Sequence, residues 1–242
     1  MNKPVTFICS SFQEAWLAVS RHLASSNWEA YNVVVHIQDT ALLDQDLHAE
    51  IEALAHQADV RGPKHVAYTI FPHNLYRTRG SAEQLYQAYN RHGGLFEFTQ
   101  KRAKRWGTYF RRMTKYEKDG GTVNQLHNIV SAIKSRGRLC RAAYTIIIQY
   151  PGGETILPLG GPCLNYITVQ INPGPPALVG LMAVYRNHDF LKRAYGNYWG
   201  LCNLVHFFAK ETGLNSGPLT CISSHAFVDQ QRTLFRHFLQ KI

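Results

Sequence analysis

Gly160-Gly161-Pro162-Cys163-Leu164-Asn165-Tyr166-Ile167-Thr168-Val169-Gln170-Ile171 runs from a glycine-proline turn into a β-branched segment. Asn172-Pro173-Gly174-Pro175-Pro176 then interrupts the chain, and Ala177 to Tyr185 resumes a strand-like pattern. Proline lacks the N–H that a ladder needs, so a Pro/Gly cluster between two such segments marks a turn. The two segments read as a hairpin, which argues against a purely parallel sheet.

Outward from this hairpin the chain alternates strands and helices. Val5 to Cys9, Asn32 to Ile37, Val66 to Ile70, Leu139 to Tyr150 and Leu219 to Ser223 read as further strands. Gln13 to Leu23 reads as a helix, with Ala15, Trp16, Val19 and Leu23 on one face. Asp46 to His56, Ser81 to Asn90, Val123 to Lys134, Asn197 to Thr212 and Val228 to Gln240 read as the others. Ser81 and Gln84 have capping-box spacing, and Gly213 stops the long helix. The mixture predicts an α+β fold in a single domain spanning 1–242.

Composition narrows the partners. Hydrophobic residues make up 45% of the 242, enough for a core without disulfides. No apolar run approaches 18 residues, and Met1-Asn2-Lys3-Pro4-Val5 lacks a signal-peptide core, so a cytoplasmic protein without a membrane span is expected. Five cysteines (Cys9, Cys140, Cys163, Cys202 and Cys221) lack metal-type pairing, which fits a reducing compartment and predicts no metal. The net charge of +10 points to anionic partners. Much of it lies in Lys101, Arg102, Lys104, Arg105, Arg111, Arg112 and Lys115, which reads as a solvated face or, more sharply, as a phosphate or polyglutamate rim or a nucleic-acid patch.

One constellation carries chemistry. A Pro-Cys turn entering a strand can present Cys163 as a thiolate, the nucleophilic form, although Pro-Cys alone more often marks a buried structural cysteine. Twenty-three residues on stand Arg186-Asn187-His188-Asp189, with Asn197 eight further. An arginine fork matches a phosphate, and a carboxamide offers both donor and acceptor to a ring edge. Read without context, Asp189 suits a helix N-terminus and Asn197 a helix N-cap.

The order and spacing of these residues resemble the thymidylate synthase family, and its short, divergent branch more than the common bacterial form. Thr108-Tyr109-Phe110-Arg111-Arg112-Met113 resembles the family's Tyr-Gly-x-Arg segment, with Phe110 where glycine is usual. Asn124-Gln125-Leu126 is similar to its Asp-Gln-Leu helix, and Ser224-His225-Ala226-Phe227 to its His-x-Tyr segment. The motifs cover roughly residues 105–230; residues 1–100 are the more divergent part.

The resemblance implies a large twisted mixed β-sheet flanked by helices, with a homodimer formed through the sheet. It implies C5 methylation of dUMP, with 5,10-methylenetetrahydrofolate as co-substrate. Cys163 would be the nucleophile, adding to C6 of the pyrimidine, and Tyr109 would belong to the proton-transfer network at C5. Arg186 and Asn187 would hold the phosphate, helped by the partner subunit's copy of Arg141, with Arg138 as substitute for a second arginine. Asp189 would contact both substrate and the folate's pterin. Asn197 would read the uracil edge, where an aspartate would favour cytosine. His225 and Phe227 would face the sugar, Phe227 without the family's hydroxyl, leaving ribose and deoxyribose both open. The active-site glutamate falls on Glu83, or less well on Glu97. Two other readings stand beside this one. Water could replace hydride, giving a hydroxymethylpyrimidine nucleotide. Alternatively, the pocket could bind a nucleotide or RNA without catalysis, nucleic acid being the less favoured partner.

Overall fold

A computed structural model describes residues 3–99, 107–118, 120–136, 139–150 and 161–242, with backbone alone at 92–99 and 142. Nine strands are described: β1 Val5–Cys9, β2 Glu29–Ile37, β3 Tyr116–Lys118, β4 Gly121–Val123, β5 Ala142–Ile147, β6 Leu164–Asn172, β7 Leu178–Tyr185, β8 His188–Asp189 and β9 Asn215–Phe227. The main sheet has the order β1-β2-β9-β7-β6-β5, with the short β8 paired to β9; β3 and β4 form a separate ribbon. β6 and β7 pair antiparallel, as the hairpin reading requires. β1–β2 and β7–β9 pair parallel, so the sheet is mixed.

The helices are α1 Phe12–Ser25, α2 Gln45–Gln57, α3 Pro63–Ile70, α4 His73–Arg79, α5 Ala82–Thr99, α6 Tyr109–Thr114, α7 Gln125–Lys134, α8 Tyr195–Thr212 and α9 Arg232–Lys241. A π-helical turn, Phe190–Ala194, leads directly into α8. The segment Val66–Ile70, expected as a strand, is instead the body of α3. Pro63 opens that helix, and Val66, Ala67 and Ile70 form the buried stripe that β-branched composition concealed.

Alternation across the sheet separates its two faces. One in-register row, Phe7, Val35, Cys221, Ala183, Ile167 and Ile146, belongs to the face on which the core is built. On that face lies α8, buried over most of its length. Its Gly196 and Gly200 let α3 approach closely. A Cβ at Gly196 would sit 2.6 Å from Val66 Cβ, and one at Gly200 2.8 Å from the Ala67 carbonyl oxygen. The adjacent row, Thr6, Val34, Ile222, Val184, Tyr166 and Ile147, points the other way. It is largely apolar yet half-buried to exposed, Ile147 at 40%. Cys9, Cys202 and Cys221 are small core residues. Among the described residues no helix is long and apolar enough to cross a membrane.

Candidate functional site

Cys163 occupies the last position before β6, at the end of the sheet where β7 and β9 finish. Gly161 has φ +120°, a conformation that L side chains rarely adopt, and a Cβ there would lie 3.8 Å from an Arg186 guanidinium nitrogen. Arg186 donates from its backbone N–H to the Cys163 carbonyl at 2.9 Å and from Nε to the Pro162 carbonyl at 3.2 Å. Its guanidinium is thereby fixed against the turn that carries the thiol. The Tyr109 hydroxyl, from α6, accepts from the Cys163 and Leu164 backbone N–H groups at 3.3 and 3.5 Å. Burial raises the Tyr109 phenol to about 12. Burial also pushes the Cys163 thiol up; Arg186 and Arg193 oppose that shift and Asp189 adds to it.

Asp189 spends one carboxylate oxygen as the N-cap of the π turn, accepting from the Leu191 and Lys192 N–H groups at 3.1 and 2.9 Å. Its other oxygen lies 3.8 Å from Lys192 Nζ. Burial raises its carboxyl, against those hydrogen bonds and the Lys192 and Arg193 charges. The helix-start reading of Asp189 is therefore realised in the structure. The N-cap reading of Asn197 is not: α8 begins at Tyr195, with Ala194 at the cap position, and Asn197 lies within the first turn. π turns of this kind insert a residue and re-aim side chains, and they recur at functional sites.

Asn197 is buried, 4% exposed, and its Nδ2 lies 3.1 Å from His188 Nε2. His188 Nδ1 lies 2.8 Å from Ser223 Oγ on β9. The imidazole stacks flat on Tyr185, with ring centroids 4.1 Å apart and planes 2° from parallel. Tyr198 meets it edge-on, and Phe190 closes another side. Burial lowers His188 to about 3, so the ring is neutral. Among the described residues the buried Tyr185 hydroxyl has no hydrogen-bond partner.

A second cluster adjoins the first through Asn187. His225 Nδ1 lies 3.0 Å from Asn187 Oδ1 and its Nε2 2.8 Å from Glu29 Oε1. Tyr31 donates to the same Glu29 oxygen at 2.7 Å. Register explains the grouping: Glu29 lies opposite Phe227, and Tyr31 opposite His225. The His225 ring is stacked between Tyr31 and Phe227, each at 4.9 Å. The carboxyl of Glu29 is held low, first by Tyr31 and then by His225.

The structure thus brings Cys163, Tyr109, Arg186, Asn187, Asp189, Asn197, His225 and Phe227 to one end of the sheet. Four residues of this end were not singled out from sequence: His188, Arg193, Glu29 and Tyr31. Arg141 is exposed just before β5, whose start pairs with the far end of β6. It is separated from Cys163 by the whole of β6, roughly 30 Å at strand rise. Glu83 falls elsewhere too. It shares the surroundings of Tyr76 and Tyr86 with Glu211 in the last turn of α8, at the opposite end of that helix from Asn197. Glu83 is therefore not the carboxylate of this site. Arg138, and Lys101, Arg102, Lys104 and Arg105 of the basic block, lie outside the described residues, as does the side chain of Glu97. Arg112 of that block is structural, donating to the Ile148 carbonyl at 2.9 Å. Gln125 is structural as well, pairing with both backbone groups of Ile147 at 2.8 Å.

Among the described residues no group of three or more His, Cys, Asp or Glu side chains is arranged to hold a metal ion. Compared with models of known protein families and with curated proteins, the chain gives no match.

Proposed function

We propose that this chain is a thymidylate-synthase-type enzyme that binds a uracil nucleotide and transfers a one-carbon unit to its C5, with dUMP as the substrate. The observation that carries the reading is the convergence at one sheet end of a strand-leading cysteine, two arginines acting on it, a tyrosine on its backbone and a buried asparagine. Tyr109, Cys163, Arg186 and Asn197 follow along the chain in the order of the resembling motifs, and Arg193 of the π turn lies outside them.

Each residue has work that its placement suits. The Cys163 thiolate attacks C6, forming a C–S bond and moving the C5–C6 π electrons toward C5 and O4. Arg186 and Arg193 favour that thiolate against the burial that disfavours it. The Arg186 fork receives the phosphate, with the Asn187 amide beside it. Asn197 pairs with N3–H and O4, and the Tyr109 phenol, protonated at neutral pH, relays a proton near C5. The stacked His225, with Glu29 and Tyr31, forms the polar wall for the sugar that Phe227 alone lacks.

The folate fits in part. Asp189 keeps one carboxylate oxygen free of backbone, suited to the paired N–H donors of a pterin. The slot along the π turn and the start of α8, lined by Trp16, Leu191, Arg193, Tyr195 and Gly196 and not by Asp189, holds about 10 Å³, room for a water and not a ring. A bound methylenetetrahydrofolate would supply both the carbon and the hydride.

The same reading calls for a second copy of the chain on the sheet's open face. The apolar row Val34, Ile222, Val184, Tyr166 and Ile147 supplies a surface for it. Arg141, stranded at the far end of its own sheet, would then serve the partner's phosphate.

One observation favours the binding-only alternative: the Cys163 thiol is pushed up, not down. Folate-dependent release of tritium from C5-labelled dUMP separates the two. Release requires attack at C6 and loss of the C5 proton. Its absence, with dUMP still bound, would leave a nucleotide-binding protein.

A further inference from the structure

The Asn197 amide does not stand alone. Its Nδ2 is only a donor, so His188 Nε2 must accept at their 3.1 Å separation. The neutral imidazole then carries its proton on Nδ1 and donates to Ser223 Oγ at 2.8 Å. Stacking on Tyr185, the edge of Tyr198 and the flank of Phe190 leave the ring no free rotation. One Asn197 N–H is therefore committed inward. Among the described residues its carbonyl oxygen and second N–H have no other hydrogen-bond partner, which leaves an acceptor beside a donor.

We propose that His188 is a positioning residue that fixes which way the Asn197 amide faces, and so selects a base edge with a donor beside an acceptor, as in uracil, over cytosine. The inference rests on the reading that Asn197 meets the base. Cytosine presents the reversed pair, an acceptor N3 beside an amino donor. To meet it the amide must turn over, placing its carbonyl against the Nε2 lone pair. Relieving that clash takes three linked changes in a buried site: the amide flips, the ring proton moves to Nε2, and the Ser223 hydroxyl turns to donate. An asparagine in water would reverse freely. This one is held by residues nine positions before it and twenty-six after it.

The test is calorimetric titration of dUMP and dCMP into the full chain, as wild type, His188→Leu, His188→Gln and Ser223→Ala, with melting temperatures alongside. Wild type should favour dUMP. In His188→Leu the ratio of the two dissociation constants should shrink at least tenfold, chiefly through tighter dCMP binding. His188→Gln should restore it, because its amide accepts from Asn197 and donates to Ser223. Ser223→Ala, which removes the anchor for Nδ1–H, should shrink the ratio in the same direction and serves if His188→Leu does not fold. A merely structural histidine would lower the melting temperature and weaken both nucleotides alike; an unchanged ratio in the folded variants would overturn the proposal. A wild type that does not distinguish dUMP from dCMP would overturn the Asn197 reading itself, and this inference with it.

Discussion

The two corners of the site are built differently. Around Asn197 the side chains are buried, stacked and hydrogen-bonded to one another: His188 to Ser223, Asn197 to His188, Tyr185 flat on the imidazole. Around Cys163 the polar groups are half-buried, and Arg186 is tied to the backbone of the turn it overhangs. A buried neutral network is rigid because each unmade hydrogen bond carries its full desolvation cost. Charged groups stay near water because burying them unpaired costs far more. On the proposed reading, selection would belong to the buried corner, and charge and reactivity to the half-buried one.

Variants that address one corner at a time test this division. Arg186→Gln should weaken dUMP by about 10- to 100-fold, the weight of a charge-assisted hydrogen bond of about 1.5–3 kcal/mol. Deoxyuridine, lacking phosphate, should bind unchanged. Equal losses for both in calorimetry would mean that the arginine supports the fold and not the ligand.

The open sheet face gives the next effect. Val184→Lys should shift sedimentation from dimer to monomer while leaving the far-ultraviolet circular dichroism intact. A wild type that already sediments as a monomer at micromolar concentration would remove the role given to Arg141.

Acid separates the corners by sign. His188 is held near 3 when folded, against an ordinary value of 6.5. The unfolded chain therefore binds more protons between those values. The stability that neutral His188 contributes is present above about pH 6.5 and lost as pH falls toward 3. His48, His73 and His206 are also held low by burial, so the comparison must be wild type against His188→Gln. The variant's melting temperature should fall less steeply between pH 6.5 and 4; parallel curves would contradict a buried neutral imidazole.

The smallest effect concerns the thiol. Alkylation of Cys163 by iodoacetamide should accelerate with rising pH beyond the usual thiol range. Arg193→Gln should slow it a few-fold at pH 8, since losing a cation raises the thiol further. Peptide mapping would locate the label, and a faster variant would refute the influence given to Arg193.

Much of this layout was legible in the sequence, and the exceptions have physical causes. β6 and β7 announce themselves because β-branched runs flank a proline turn, and α8 because its apolar residues continue to Gly213. Val66–Ile70 reads as a strand from composition, yet the groove left by Gly196 and Gly200 makes it a helix; that complementarity lies 130 residues downstream. Motif order picked out Cys163, Arg186 and Asn197, which the fold brings to one end of the sheet. His188 sat inside a motif and gave no signal of its own, because its partners are set by the register of β8 on β9 and by the π turn. Glu29 and Tyr31 became neighbours of His225 only through the pairing of β2 with β9. Glu83 matched a local pattern, but α5 carries it to the far end of α8.

The central claim is that Cys163 forms a covalent bond to a uracil base that Asn197 has selected. Mass spectrometry of the full chain incubated with 5-fluoro-dUMP and methylenetetrahydrofolate tests it most directly. The account predicts a ternary adduct in the wild type and none in Cys163→Ala. Nucleotide binding without any adduct in the wild type would contradict it.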